Sequence, residues 1–101
     1  MSSNEAILTI SVAAKLLHLH PRTLMLYERE HLTSPHRTTT QRRMFSLADL
    51  DHLQFVIYLI QVKGLNIQGV KTMLEAIETA SKGNVDLKRS MFPDFKSKSL
   101  I

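Results

Sequence analysis

Apolar residues recur at helical spacing along most of this chain, and each run is bounded by a residue that can start or stop a helix. In the first run, residues 12–17 provide one apolar face, and Ser11 can cap the helix. A turn follows. Pro21 then suits the first position of a second helix because its φ is already helical and its missing N–H has no intrahelical partner to lose. The pattern predicts a helix, a short turn and a second helix that ends near Glu30.

The second helix has two distinct sides. Leu24 and Tyr27 lie three residues apart and are expected to face the core, with the Tyr27 hydroxyl at the surface. Arg22, Thr23 and Leu26 occupy flanks that are available to a partner. This side of the helix is therefore a candidate binding surface.

The pattern changes after the second helix. Residues 32–35 cannot continue it, and the threonine-rich segment 37–45 fits two short strands joined by a loop, which we interpret as a wing. Ser46 and Asp49 then form the signature of a helix N-terminus. The Ser46 hydroxyl can cap the first turn, and the helix dipole stabilises the Asp49 carboxylate three residues later. Gly64 is expected to end this third helix.

A fourth helix is predicted from a cap at Asn66 to a stop at Gly83. Its expected buried side consists of Val70, Met73, Leu74 and Ile77. In the third helix one stripe is assigned to the core: Leu47, Leu50, Leu53, Ile57 and Ile60. Further apolar residues widen that stripe beyond one packing face: Val56, Leu59 and Val62. These residues and the Met73-Leu74-Ile77 face can form either a domain core or a dimer seam, and we assign them to the interface.

Residues 82–101 form an apolar and basic tail without a clean period, and Pro93 interrupts any helix through it. We therefore expect one domain over residues 1–81, followed by an irregular or mobile tail.

Charge is concentrated rather than spread evenly. The 101 residues include 13 Lys+Arg and 9 Asp+Glu, which gives a net charge of +4 and suits a polyanionic partner. No acidic residue occurs between Glu30 and Asp49, and Arg37, Arg42 and Arg43 all fall in this gap. The basic potential is thus expected on the wing.

Several classes of function are disfavoured. Nothing near Asp49, Asp51 and His52 supplies a pocket or a nucleophile, so we do not expect an enzyme. His18 and His20 have no third clustered ligand, so neither a metal nor another cofactor is expected. The chain contains no cysteine, no secretory signal is visible, and its most apolar window is shorter than the ~20 residues of a membrane span. These features favour a cytoplasmic protein.

An ordered series of residues resembles the MerR family of winged helix-turn-helix regulators, and within it the compact HspR heat-shock repressors. The matching pieces are Ile10-Ser11-Val12-Ala13-Ala14, His20-Pro21 to Leu24, Tyr27-Glu28-Arg29, Leu32, Pro35, Arg37-Thr38, Arg43 and Phe45-Ser46. The resemblance covers roughly Leu8 to Leu74. It implies a mainly α winged helix-turn-helix fold with a small β-hairpin wing and two further helices.

In this family the second helix enters the major groove of DNA and the wing contacts the flanking backbone or minor groove. The resemblance therefore implies the groove role for Arg22 and Thr23 and the backbone role for Arg37, Arg42 and Arg43. Arg29 is a further DNA-binding candidate, as a contact to a phosphate. Guanidinium groups suit these roles because they pair bidentately with phosphate or with guanine edges. Arg29 has an alternative role, since it can instead pair with a neighbouring glutamate.

The sequence also departs from the family pattern. Leu24-Met25-Leu26-Tyr27-Glu28 stands where the family usually has Leu-Arg-Tyr-Tyr-Glu, so the DNA-contacting helix lacks one Arg and one Tyr. His31 replaces a helix-ending glycine, which is tolerable because His adopts left-handed backbone more readily than most residues. Gln41-Arg42 replaces a Gly-aromatic pair at the wing tip, and we hypothesise that Arg42 compensates for the Arg missing at Met25.

The resemblance implies a sequence-specific double-stranded DNA-binding regulator, a repressor of stress or chaperone genes. A homodimer on DNA is expected, and a DnaK-type chaperone is a candidate partner for the tail. One alternative is a MerR-like interaction module that docks a chaperone or co-chaperone without binding DNA. Another is an excisionase-like architectural factor, which would bend DNA.

Overall fold

The computed structural model describes residues 5–33, 36–37 and 43–101. They form β1 (Leu8–Thr9), α1 (Ile10–Leu16), α2 (Pro21–Arg29), β2 (His36–Arg37), β3 (Arg43–Phe45), α3 (Leu47–Gln61), α4 (Ile67–Lys82) and α5 (Leu87–Met91). The predicted fold class, a mainly α winged helix-turn-helix, is confirmed. Two compact units are present: the first extends to Gln54 and includes Lys98–Ile101, and the second is Phe55–Ser97.

The wing is part of a small antiparallel sheet in the order β1-β3-β2. His36 pairs with Met44 in the predicted hairpin, whereas Leu8 pairs with Phe45 in a contact that the pattern did not predict. A strand of two residues has no periodicity to detect, so β1 is recognisable only through its partner strand. Its pairing joins the start of α1 to the hairpin.

The cap of α1 differs from the prediction. Thr9, not Ser11, is the N-cap, because Thr9 has extended backbone at the end of β1 and its hydroxyl accepts a hydrogen bond from the Val12 N–H at 3.3 Å. Ser11 is already inside the helix. The prediction was wrong because the sheet pairing, which is not local in sequence, holds Thr9 in the capping conformation.

The limits of α2 follow the prediction closely. Pro21 is its first residue, and His20 caps it by accepting a hydrogen bond from the Arg22 N–H on Nδ1 at 3.1 Å. Leu24 and Tyr27 are buried, as predicted. Burial raises the pKa of the Tyr27 hydroxyl above its ordinary value because the phenolate would be poorly solvated there.

Histidine closes α1 and α2 with left-handed backbone. At the end of α2, His31 has φ 61°, and the Leu32 N–H donates to the Tyr27 carbonyl at 2.8 Å. His18 has φ 57° at the corresponding position of α1. A left-handed residue after the helix, with such a hydrogen bond back to its last turn, is a helix ending in which glycine is usual. The prediction that His31 tolerates this conformation is confirmed.

We expect His31→Gly to stabilise the fold by roughly 1 kcal/mol, because glycine adopts positive φ without the Cβ clash. That gain corresponds to a rise in Tm of about 4–8 °C for a domain of this size. Lys15→Gly is the matched control, since Lys15 is exposed within α1 and glycine there should lower Tm. Thermal unfolding followed by circular dichroism tests both, and a lower Tm for His31→Gly would refute the strain.

The remaining helix ends were mostly predicted correctly. The Ser46 hydroxyl accepts from the Asp49 N–H at 3.0 Å, and the Asp49 carboxylate accepts from the Ser46 N–H at 2.8 Å, which caps α3 reciprocally. Gly64 makes the turn after α3 with φ 74°. Asn66 caps α4 by accepting from the Gly69 N–H at 2.8 Å. Gly83 is the C-cap of α4, but its own φ is −98°.

The core of the first unit joins α1, α2, β3 and the first half of α3. Its buried side chains include Ala13, Ala14, Leu17, Leu24, Tyr27, Leu32, Phe45, Leu50 and Leu53. His52 adds a polar link, because its Nε2–H donates to the Leu32 carbonyl at 2.7 Å. This bond ties α3 to the segment that follows α2.

The second unit has an aromatic cluster between α3 and the tail. Phe55 and Tyr58 lie on α3, and the Phe95 ring is 5.2 Å from the Phe55 centroid and 5.0 Å from that of Tyr58. Phe92 packs edge-on against Phe55 at 5.6 Å, and the Lys88 ammonium lies 4.5 Å from the Phe55 centroid. Aromatic and cation–π contacts therefore hold this part of the tail.

The tail contains more regular structure than its pattern suggested. Asp86 caps α5 by accepting from the Arg89 N–H at 3.0 Å, so residues 87–91 are helical rather than irregular. α4 ends at Lys82, directly before the predicted stop at Gly83. The division into a domain over 1–81 and a tail over 82–101 stays a prediction, as does mobility of the tail.

The surface assignment of α3 was partly wrong. Val56 and Leu59, which were assigned to an interface, are fully buried in the second unit, whereas Val62 is 67% exposed. Ile57 and Ile60, assigned to the core, are half-buried. Packing against other segments, which periodicity alone does not reveal, decides these positions.

In the part of the chain that the structure describes, none of the helices combines the length and the apolar character that a membrane span requires.

Candidate nucleic-acid interface

One side of α2 is exposed and carries positive charge at both ends. Arg22, Met25 and Arg29 are all exposed and share this side, since they are three and four residues apart on the helix. Leu24 and Tyr27 point away from it into the core. We call the surface formed by Arg22, Met25 and Arg29 the α2 face.

The α2 face is held firmly. The His20 cap orders the first turn, and the reversal at His31 orders the last turn. Between them, Leu24 and Tyr27 anchor the helix in the core. A face on a helix that is fixed at both ends and in the middle loses little conformational entropy when it binds a partner.

The other predicted residue of α2 is less accessible. Thr23 is half-buried, and it lies at the border between the core and the α2 face. The structure brings Arg22 and Arg29 together on one side and leaves Thr23 at the edge.

Two of the predicted wing residues, Arg37 and Arg43, lie on the strands of the hairpin. Its register pairs Arg37 of β2 with Arg43 of β3, so these two positions face each other across the strands. Arg42 precedes Arg43 in the sequence but lies outside the described residues. The hairpin leads directly through Phe45 into the Ser46 cap of α3, which anchors its second strand.

Met25 was not predicted to be part of the candidate interface. It was treated as the loss of a family arginine, yet it is 41% exposed in the middle of the α2 face. The signal was present in the spacing of Arg22, Met25 and Arg29. It was easily missed because an exposed apolar residue alone is common on protein surfaces.

His18 and His20 both act on backbone conformation. The Nδ1 atom of His20 is used in the α2 cap, and His18 holds the left-handed position after α1. In the described part of the chain, no three His, Asp or Glu side chains come together in an arrangement that could hold a metal ion.

The same segment matches a family of known regulators. The model for MerR HTH family regulatory proteins matches residues 8–77, which run from β1 into α4 and include α2 and the hairpin. The chain belongs to the MerR family. Its predicted resemblance is therefore confirmed, and the helix pair and wing are those of a MerR-type winged helix-turn-helix.

Similar proteins in this family carry regulatory names. The heat shock protein HspR of Streptomyces coelicolor is 40% identical over 75 residues, which cover 74% of this chain and 50% of that protein. The HTH-type transcriptional regulator GlnR of Bacillus anthracis and that of Bacillus cereus are each 38% identical over 65 residues, 64% of this chain and 50% of theirs. This chain spans about half the length of these MerR-family relatives.

Proposed function

We propose that this chain is a sequence-specific double-stranded DNA-binding regulator that represses stress or chaperone genes in the cytoplasm. The observation that carries the proposal is the α2 face, where two exposed guanidiniums flank an ordered helix surface. Family membership supports it, since the relatives are named as a heat shock protein and as transcriptional regulators. The repressor role and the target genes rest on the likeness to HspR.

The two parts of the interface would act differently. Arg22 lies near the N-terminus of α2, the end of a recognition helix that usually meets base edges, where its guanidinium can pair with guanine. Arg29 and Thr23 would contact phosphates. Arg37, Arg42 and Arg43 of the wing would hold the neighbouring backbone. Phosphate contacts would thus provide most of the affinity and α2 the selection.

We further propose that a homodimer forms on DNA, because a regulator of this kind reads two half-sites with two copies related by symmetry. The tail is the proposed site for a chaperone of the DnaK type. Phe92 is buried and Phe95 packs against Phe55, so chaperone binding to these side chains would require their release from the aromatic cluster.

A mobility-shift titration with the promoter region upstream of the chain's own gene tests DNA binding. Each phosphate that a cation neutralises contributes roughly −0.9 to the slope of log K against log salt concentration. With four arginines assigned to phosphates, Arg29, Arg37, Arg42 and Arg43, we expect a slope of roughly −3 to −4 for each protomer. A slope near zero, or no shift at 50 mM salt, would contradict the proposal.

The same titration separates the alternatives. Adding a DnaK-type chaperone distinguishes a corepressor, which would strengthen the shift, from an interaction module, which would bind the chaperone while the DNA stays free. Circularly permuted fragments report bending. A large bend with weak sequence preference would favour the architectural factor instead.

A further inference from the structure

We propose that Met25 selects DNA sequence by packing against the 5-methyl group of a thymine in the major groove. This inference rests on the proposed function and deepens it, because it assigns a specificity-determining contact to a residue that the electrostatic argument leaves unused.

Met25 lies where a groove contact would be made. It is 41% exposed, three residues after Arg22 and four before Arg29, on the side of α2 opposite the core. Two guanidiniums that engage phosphates or guanines on either side would bring the Met25 side chain against the bases between them. Met25 would then be covered by DNA rather than by protein.

The chemistry of methionine matches one base edge only. In the major groove, guanine, adenine and cytosine present hydrogen-bonding groups, whereas thymine also presents an apolar methyl group. An unbranched thioether has no donor to offer and is a weak acceptor, and its flexible chain can follow the surface of a methyl group. Against another base it would leave polar groups unpaired, and that loss disfavours the wrong sequence.

The absence of an arginine at position 25 also affects specificity. An arginine at this position would add a positive charge, and the attraction of that charge to phosphates would raise affinity whatever the sequence. Met25 adds no such attraction, so its contact increases affinity only where the base is thymine. The ratio of specific to non-specific binding should therefore exceed that of the Met25→Arg variant, although total affinity is lower.

The experiment begins with duplexes that the full chain selects from a random-sequence library. Each thymine of the selected duplex is then replaced singly by deoxyuridine, which pairs like thymine but lacks the 5-methyl group. We expect one position in each half-site to lose about fourfold in affinity, the effect of one buried methyl group. Every other position should change less than about twofold, by the same estimate.

Variants connect this loss to Met25. Met25→Ala should bind the selected duplex about fourfold or more weakly and should no longer distinguish thymine from deoxyuridine at that position. Met25→Leu retains apolar bulk and should preserve the discrimination. Met25→Arg should bind all sequences more tightly, with a salt slope steeper by roughly 0.9. Because Met25 is exposed, these variants should fold, and circular dichroism checks this.

The outcomes distinguish the two proposals. If the chain selects no duplex at all, both fail. If it selects a duplex but tolerates deoxyuridine everywhere, the regulator remains and the role of Met25 is overturned. A deoxyuridine penalty that persists in Met25→Ala would likewise overturn it, because another residue would then contact the methyl group.

Discussion

Replacing Arg22 and Arg29 together by alanine is expected to weaken binding to the selected duplex on the order of 100-fold. Both guanidiniums are exposed on the α2 face, so their loss removes contacts at both ends of the helix surface. The slope of log K against log salt concentration should fall in magnitude by roughly 0.9, because Arg29 is assigned to a phosphate and Arg22 to a guanine. Fluorescence anisotropy with labelled duplex at several salt concentrations measures both quantities.

The matched control removes the same charge elsewhere. Lys82 and Lys96 are exposed and belong to neither α2 nor the hairpin, so a Lys82→Ala and Lys96→Ala double variant lowers the net charge equally. It should lose less than about threefold, because long-range attraction is screened at physiological salt. Equal losses in the two double variants would mean that affinity depends on total charge alone, and the α2 face would lose its assigned role.

Phe45→Ala should have the largest effect on stability, a loss of about 3–5 kcal/mol. Phe45 is fully buried on β3, where it pairs with Leu8 of β1 and precedes the cap of α3. Its removal leaves a cavity where sheet and helices meet. Since small domains are stable by only about 5–15 kcal/mol, a substantial unfolded fraction should appear near 37 °C.

Urea unfolding followed by circular dichroism measures this loss. Val62→Ala is the control, because Val62 is 67% exposed and its truncation should cost less than about 0.5 kcal/mol. If Phe45→Ala cost no more than Val62→Ala, Phe45 would not be a core residue of the wing. DNA binding should fall in parallel with the folded fraction.

Signals that act within a few residues predicted this structure well. Pro21 starts α2, Ser46 and Asp49 cap α3, Gly64 makes the turn that follows α3, and Asn66 caps α4. Each of these interactions is satisfied inside a single turn of chain. Their geometry therefore depends little on the rest of the fold.

Predictions failed where distant segments decide the outcome. Thr9 rather than Ser11 caps α1 because β3 holds Thr9 in an extended strand. Val56 and Leu59 are buried rather than available to a partner. The tail pattern did not reveal that Phe95 packs on Phe55, since the two residues are far apart in sequence.

Some features of the candidate interface were likewise evident from the sequence, and others depend on packing. Arginine content, the acid-free segment and the order of the helix pair were all evident from the residues. The exposed position of Met25 between Arg22 and Arg29 depends on Leu24 and Tyr27 being drawn into the core. Burial of those two side chains sets the rotation of α2, and thereby which side chains remain for a partner.

The amino-acid sequence by itself thus determined where helices start and stop, the charge of the wing segment and the family to which the chain belongs. Tertiary structure alone decided the pairing of β1 with β3, the burial of the α3 positions and the packing of the tail aromatics on α3. The physical reason is range: capping and turn formation are satisfied by neighbouring residues, whereas exposure is set by packing between segments that only folding brings together.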